Sequence, residues 1–77
     1  MAALVYFRKI SEDGELVRYE FGGDPDKFTR QLTMGKESRT SSADDGLTDY
    51  AFLKASRKIN AMREERGQWP DRGMSVS

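Results

Sequence analysis

Two runs of alternating apolar side chains flank the turn-forming Ser11-Glu12-Asp13-Gly14, and this arrangement constrains the fold more than any other feature of the chain. Ser at the first position and Gly at the last suit a type I turn. Gly14 then takes the left-handed conformation of a G1 bulge, giving a three-residue loop. That loop pairs Ser11 with Glu15, Lys9 with Val17, Phe7 with Tyr19 and Val5 with Phe21. Because side chains alternate across a strand, Val5, Phe7, Val17, Tyr19 and Phe21 share one face. A two-residue Asp13-Gly14 turn would instead oppose Glu12 to Glu15 and Lys9 to Arg18, two like-charge pairs. The preferred register carries one such clash, Arg8 opposite Arg18. The other face of the hairpin holds Leu4, Tyr6, Ile10 and Leu16 beside Arg8, Arg18 and Glu20, more apolar than a solvated face normally is.

Beyond the strands at about 3–10 and 15–21, Gly22-Gly23 breaks the pattern. Asp24-Pro25-Asp26-Lys27 has the chemistry of a helix start, with Asp24 as cap and Pro25 at the first helical position. Phe28, Arg30, Leu32 and Met34 then alternate with threonines and a glutamine, as a strand does. The reading is a short helical turn at 25–28 followed by a third strand at 30–34; a single helix over 24–34 is the alternative. Residues 35–46 are polar except for Ala43 and read as a mobile loop. Asp44, Asp45 and Asp49 fit no calcium-loop spacing and read as carboxylates drawn to a helix N-terminus.

A helix is expected over 49–66 with Thr48 as its cap. Phe52, Ala55, Ile59 and Met62 fall within an arc of roughly 80°, its core face. Lys54, Arg57 and Lys58 lie on the far side, and Gly67 followed by Pro70 marks the stop. The tail, 68–77, contains the only Trp. Trp69 is expected either to fold back onto the uncovered sheet face near Tyr6, Ile10 and Leu16, or to project as an interface anchor.

These elements make the fold class α+β: an antiparallel β-hairpin or three-stranded meander with one long C-terminal helix packed on one face. Seventy-seven residues make a single small domain, 1–77, with a thin stability margin. Without Cys or His there are no disulfides and none of the usual zinc ligand sets, which leaves packing or association to supply stability. No cofactor is expected. No apolar run approaches a membrane span and no signal-peptide pattern opens the chain, so the expected location is cytoplasmic.

Composition also weighs on function. No His or Cys is available as base or nucleophile, and the carboxylates around the hairpin turn are in the open, where nothing shifts their pKa; an enzyme is not expected. Nucleic-acid binding could draw on Lys54, Arg57, Lys58, Arg63 and Arg66 with Tyr6, Arg8, Arg18 and Tyr19. Against it, formal net charge is zero, and residues 1–46 and 47–77 differ only mildly, seven basic and nine acidic against six and four. The expectation is therefore a non-catalytic interaction or accessory module, of the kind adaptors, inhibitor or immunity proteins and antitoxins represent. Its candidate surface is Leu4, Tyr6, Ile10, Leu16 and Trp69, and its partner another protein or a second copy in a homodimer. A small nucleic-acid-binding regulator is the alternative. The hairpin-then-helix layout is too common to point to a family.

Overall fold

The computed structural model describes residues 4–76. Strands β1 (Leu4–Glu12) and β2 (Leu16–Gly22) form the expected antiparallel hairpin. The register lies two residues from the one predicted: Phe7 is opposite Phe21 and Lys9 opposite Tyr19. From Tyr6 to Lys9 this even shift keeps the predicted faces, and Val5, Phe7, Val17, Tyr19 and Phe21 all lie buried on one side. The shift also replaces the Arg8–Arg18 clash by Arg8 opposite Glu20, joined as an ion pair. Nearer the turn the offset is three residues, Ser11 lying opposite Arg18 and Glu12 opposite Val17, and a bulge between Lys9 and Ser11, with Ile10 as the additional residue, brings it to two. Gly14 is not left-handed. Instead the Asp13 carboxylate accepts from the backbone N–H groups of Glu15 (2.8 Å) and Leu16 (2.7 Å), while Asp13 N–H donates to the Leu16 carbonyl (2.9 Å). These backbone bonds, Leu16's first, hold the Asp13 carboxyl below the usual carboxylate range.

The third strand, β3 (Arg30–Gly35), pairs with β2, and residues 24–34 contain no helix. Asp24-Pro25-Asp26-Lys27 forms a single turn, with Lys27 N–H donating to the Asp24 carbonyl at 3.2 Å. Two further strands extend the sheet. Within the stretch read as one loop, a turn closes by Gly35 N–H to the Thr40 carbonyl (2.9 Å), and β4 (Ser41–Ala43) then pairs with β3. In the stretch read as a tail, β5 (Arg72–Val76) pairs antiparallel with β1. The sheet order is β4-β3-β2-β1-β5, all antiparallel, five strands where two or three were expected.

Helix α1 (Tyr50–Arg66) crosses the core face over β5, β1 and β2. Its cap is Asp49 rather than Thr48: the Asp49 carboxylate accepts from Phe52 N–H at 3.0 Å. At the other end Gly67, at φ 75°, is left-handed as a helix-terminating glycine usually is, and its N–H bonds the Arg63 carbonyl. The predicted arc of Phe52, Ala55, Ile59 and Met62 faces inward, joined by Ser56. Ser56 Oγ and Ser41 Oγ of β4 are 2.8 Å apart, a bond that satisfies both hydroxyls at the helix–sheet seam. Phe7 and Tyr19 meet edge to face with centroids 5.7 Å apart, an arrangement favoured by the ring quadrupoles.

The chain after the helix closes the core. The Tyr19 hydroxyl donates to the Pro70 carbonyl at 2.6 Å within the interior, and burial pushes its pKa far above the ordinary phenol value. Trp69 also joins the core cluster on the helix side, 8% exposed. The Arg39 and Arg63 guanidinium groups lie 5.2 and 5.8 Å from the centre of its ring. Neither placement predicted for Trp69 is the one observed. The last strand sets its direction: β5 returns antiparallel to β1, so the residues linking it to α1 turn inward under the helix end.

Candidate interaction surface

With α1 on one side only, no helix or further strand covers the opposite side of the sheet among the described residues, and Pro25 and Phe28 of the β2–β3 connection border it. Strand alternation puts Leu4, Tyr6 and Arg8 of β1 on it, with Leu16, Arg18 and Glu20 of β2, Gln31 and Thr33 of β3, and Arg72, Met74 and Val76 of β5. This open face divides into an apolar end and a polar band.

At the apolar end Tyr6 stands opposite Met74 and Leu4 opposite Val76. Leu4, Met74 and Val76 are 40%, 43% and 57% exposed, high for large apolar side chains that are neighbours on one surface. Beside them Tyr6, Arg8, Pro25, Phe28, Arg72 and Met74 line a shallow groove of about 270 Å³. The Arg8 guanidinium lies 5.2 Å from the centre of the Phe28 ring and forms one wall. Backbone groups at the sheet edge also bear on this end. The Lys9 N–H donates to the Asp71 carbonyl (2.8 Å), which fixes the phase of the β1–β5 ladder. In an antiparallel pair such bonds alternate, so Gly73 and Ser75 direct their N–H and C=O groups at β1 while Arg72, Met74 and Val76 direct theirs outward.

The polar band runs across the middle of the sheet. Arg8 Nε donates to Glu20 Oε1 at 2.7 Å. Arg18 donates to Gln31 Oε1 at 2.8 Å and is paired with Asp44, whose other oxygen accepts from Thr33 Oγ1 at 3.2 Å. Arg8 and Arg18 are thus committed to intramolecular carboxylates, whereas Arg72 on the same face is in no ion pair among the described residues. Leu16 lies on the far side of this band from Leu4 and Tyr6, and Ile10 sits at the bulge beside it. The structure therefore brings Leu4 and Tyr6 into one patch, leaves Ile10 and Leu16 exposed near the hairpin tip, and removes Trp69 to the core.

The carboxylates expected at a helix N-terminus belong to a structural clamp. Arg30 donates to Asp45 (2.8 Å), to both oxygens of Asp49 (2.8 and 2.9 Å) and to the Leu47 carbonyl (2.8 Å). Its guanidinium lies over Phe21, 4.7 Å from the ring centre. Hydrogen bonding to Arg30 holds both carboxyls below the usual range, with the Leu47 and Phe52 N–H groups adding to it. At the opposite end, Glu12 bridges Lys9 (2.7 Å) and Lys36 (2.6 Å), which lowers its pKa, Lys36 first. That bridge forms a wall of a polar cleft of about 600 Å³ shared with Arg63, Arg66 and Trp69. Among the described residues, no group of His, Cys, Asp or Glu is placed to hold a metal ion.

Sequence reasoning missed Met74, Val76, Phe28 and the outward edge of β5. The available signal was the alternation Arg72-Gly73-Met74-Ser75-Val76, short and weak in apolar content. No protein-family model, curated protein or solved structure matches the chain, so the surface is read from its own chemistry.

Proposed function

We propose that this is a non-catalytic interaction module that binds another protein chain through the apolar end of its open sheet face, in the cytoplasm. The observation that carries the reading is the cluster of Leu4, Tyr6, Met74 and Val76. Four apolar side chains lie together on the side of the sheet away from the helix, beside an apolar groove. The titratable groups with displaced pKa values support it indirectly. Each is engaged in an ion pair, a turn or a buried hydrogen bond that holds the fold together. The nucleic-acid alternative has less support, because Arg8 and Arg18, two of the three arginines on the open face, are held by Glu20 and Asp44.

The test joins solution mass to partner capture. The parent and a Leu4→Ser/Met74→Ser variant are compared for mass across a concentration series and for proteins retained from the source cell. Association with a second copy or a specific protein, present in the parent and lost in a variant of unchanged fold, supports the reading. A parent that stays monomeric and retains nothing more than the variant overturns it. A low-salt gel shift that weakens steeply with salt would transfer the function to nucleic acid.

A further inference from the structure

We infer that the outward edge of β5 takes up an extended segment of a partner protein as a sixth strand, and that this segment alternates acidic and apolar side chains. The inference rests on the interaction reading above and specifies its ligand.

Three observations define the occupant. First, Arg72, Met74 and Val76 direct backbone N–H and C=O groups away from the sheet, and an added strand satisfies such groups by ladder bonds. Second, the two flanks of this edge differ in chemistry. On the open side, residues opposite Met74 and Val76 would lie along those two side chains and the groove at Tyr6 and Phe28, apolar apart from the guanidinium groups of Arg8 and Arg72 at its rim. On the helix side, Lys54, Arg57 and Lys58 line a cleft of about 250 Å³ together with Ser75. Successive side chains of an added strand point to opposite sides, so one set meets apolar surface and the alternate set meets three cations. Third, those cations are uncompensated. Among the described residues, Lys54, Arg57 and Lys58 take part in no salt bridge, although the chain as a whole is neutral. Lys54 lies 5.3 Å from the Tyr50 ring centre, a contact that leaves its charge available.

The same charge pattern argues against a second copy at this edge. A two-fold axis pairing β5 with β5 would set Lys54, Arg57 and Lys58 of one protomer against the same residues of its partner. Edge lysines are a common protection against self-pairing; here they exclude like strands and admit acidic ones. A nucleic acid would meet the cations and leave both the edge N–H groups and the apolar flank without a role.

The experiment titrates nitrogen-15-labelled full-length protein with a blocked peptide of alternating Glu and Val. Controls are a scrambled peptide of the same composition and one of alternating Lys and Val. The alternating Glu–Val peptide should slow amide exchange at Arg72, Met74 and Val76, and the scrambled peptide should leave it unchanged. An R57E/K58E variant, altered at two exposed positions, should bind the Glu–Val peptide about tenfold more weakly and gain affinity for Lys–Val. The inference is overturned if millimolar Glu–Val peptide leaves these amides unprotected, or if Lys–Val binds the parent equally well. Protection that grows with protein concentration alone would assign the edge to a second copy, and tighter protection by a single-stranded oligonucleotide would assign it to nucleic acid. Shifts confined to Leu4, Tyr6 and Met74 side chains, without edge protection, would overturn the added strand and leave the interaction reading standing.

Discussion

The two faces of one sheet are built from the same strands, yet they do opposite things with apolar side chains. The helix-side face buries Phe7, Tyr19, Phe21, Leu32 and Met34 almost completely. The open face carries Leu4, Met74 and Val76 in contact with solvent and fills its centre with ion pairs. Hydrophobicity alone does not separate them, since Leu4 and Val5 are adjacent in sequence and similar in character. Position relative to the helix does. Stability therefore depends chiefly on one face, and the other is free to serve contacts outside the molecule.

The largest expected effects lie on the covered face. Replacing Ile59 or Phe52 by Ala should cost about 2–5 kcal/mol in urea or thermal unfolding, enough to unfold most molecules of a domain with a thin margin. An Ile59→Ala protein that melts with the parent would end the distinction between the faces. Next come two positions where the chain after the helix meets that face. A Cβ on Gly73 would stand 2.6 Å from Phe7 Cζ and 3.0 Å from Met62 Sδ, both side chains held in the core. Gly73→Ala should therefore cost about 1–3 kcal/mol, with amide exchange rising first in β5. Tyr19→Phe leaves the Pro70 carbonyl without its buried donor and should cost a similar amount, about 1–3 kcal/mol. Equal stability of Tyr19→Phe and parent would show that another donor reaches that carbonyl.

Charge gives a smaller lever on the helix side. Asp45 and Asp49 have folded pKa values below their unfolded ones because of Arg30. Their contribution is present above the unfolded carboxylate range and is lost as pH falls through the lower, folded values. An Asp45→Asn/Asp49→Asn protein should show a flatter decline of stability on acidification than the parent; parallel curves would mean the clamp adds nothing. Smallest of all is the effect of the open face on folding. Leu4→Ser and Met74→Ser should change stability by no more than about 0.5 kcal/mol, and a larger loss would show that this face contributes to the fold after all.

How far this comparison could be read in advance depended on the range of each signal. The membership of the covered face was legible, because a period of two assigns Val5, Phe7, Val17, Tyr19 and Phe21 together whatever the register. The register was not, since it turned on the Ile10 bulge and on the exchange of Arg8–Arg18 for Arg8–Glu20, both cross-strand effects. The helix arc was legible for the same periodic reason. Its cap fell on Asp49 because Arg30, distant in sequence, also engages that carboxylate. Strands β4 and β5 escaped notice because Ser41-Ser42-Ala43 and Arg72-Gly73-Met74-Ser75-Val76 carry little strand propensity of their own. They are strands because β3 and β1 each offer an edge to pair with. Of the candidate surface, Leu4 and Tyr6 were found and Met74 and Val76 were not, as the patch is completed only when the last strand arrives. The inward turn of Trp69 has the same origin.

The pairing of β1 with β5 also bears on the order in which the molecule can assemble. Leu4 and Val76 are partners although nearly the whole described chain separates them. A growing polypeptide emerging from the ribosome can zip β1 to β2 and β2 to β3 early, since those contacts are local. Until the last strand has been made, β1 keeps an unsatisfied edge, and the ring of Phe7 lacks the close backbone of Gly73 beside it. Completion is therefore a late, non-local event that slows folding. It leaves an interval in which nascent chains expose an apolar strand edge to one another. The state in which β5 has not yet docked on β1 is therefore the one at greatest risk of misassembly.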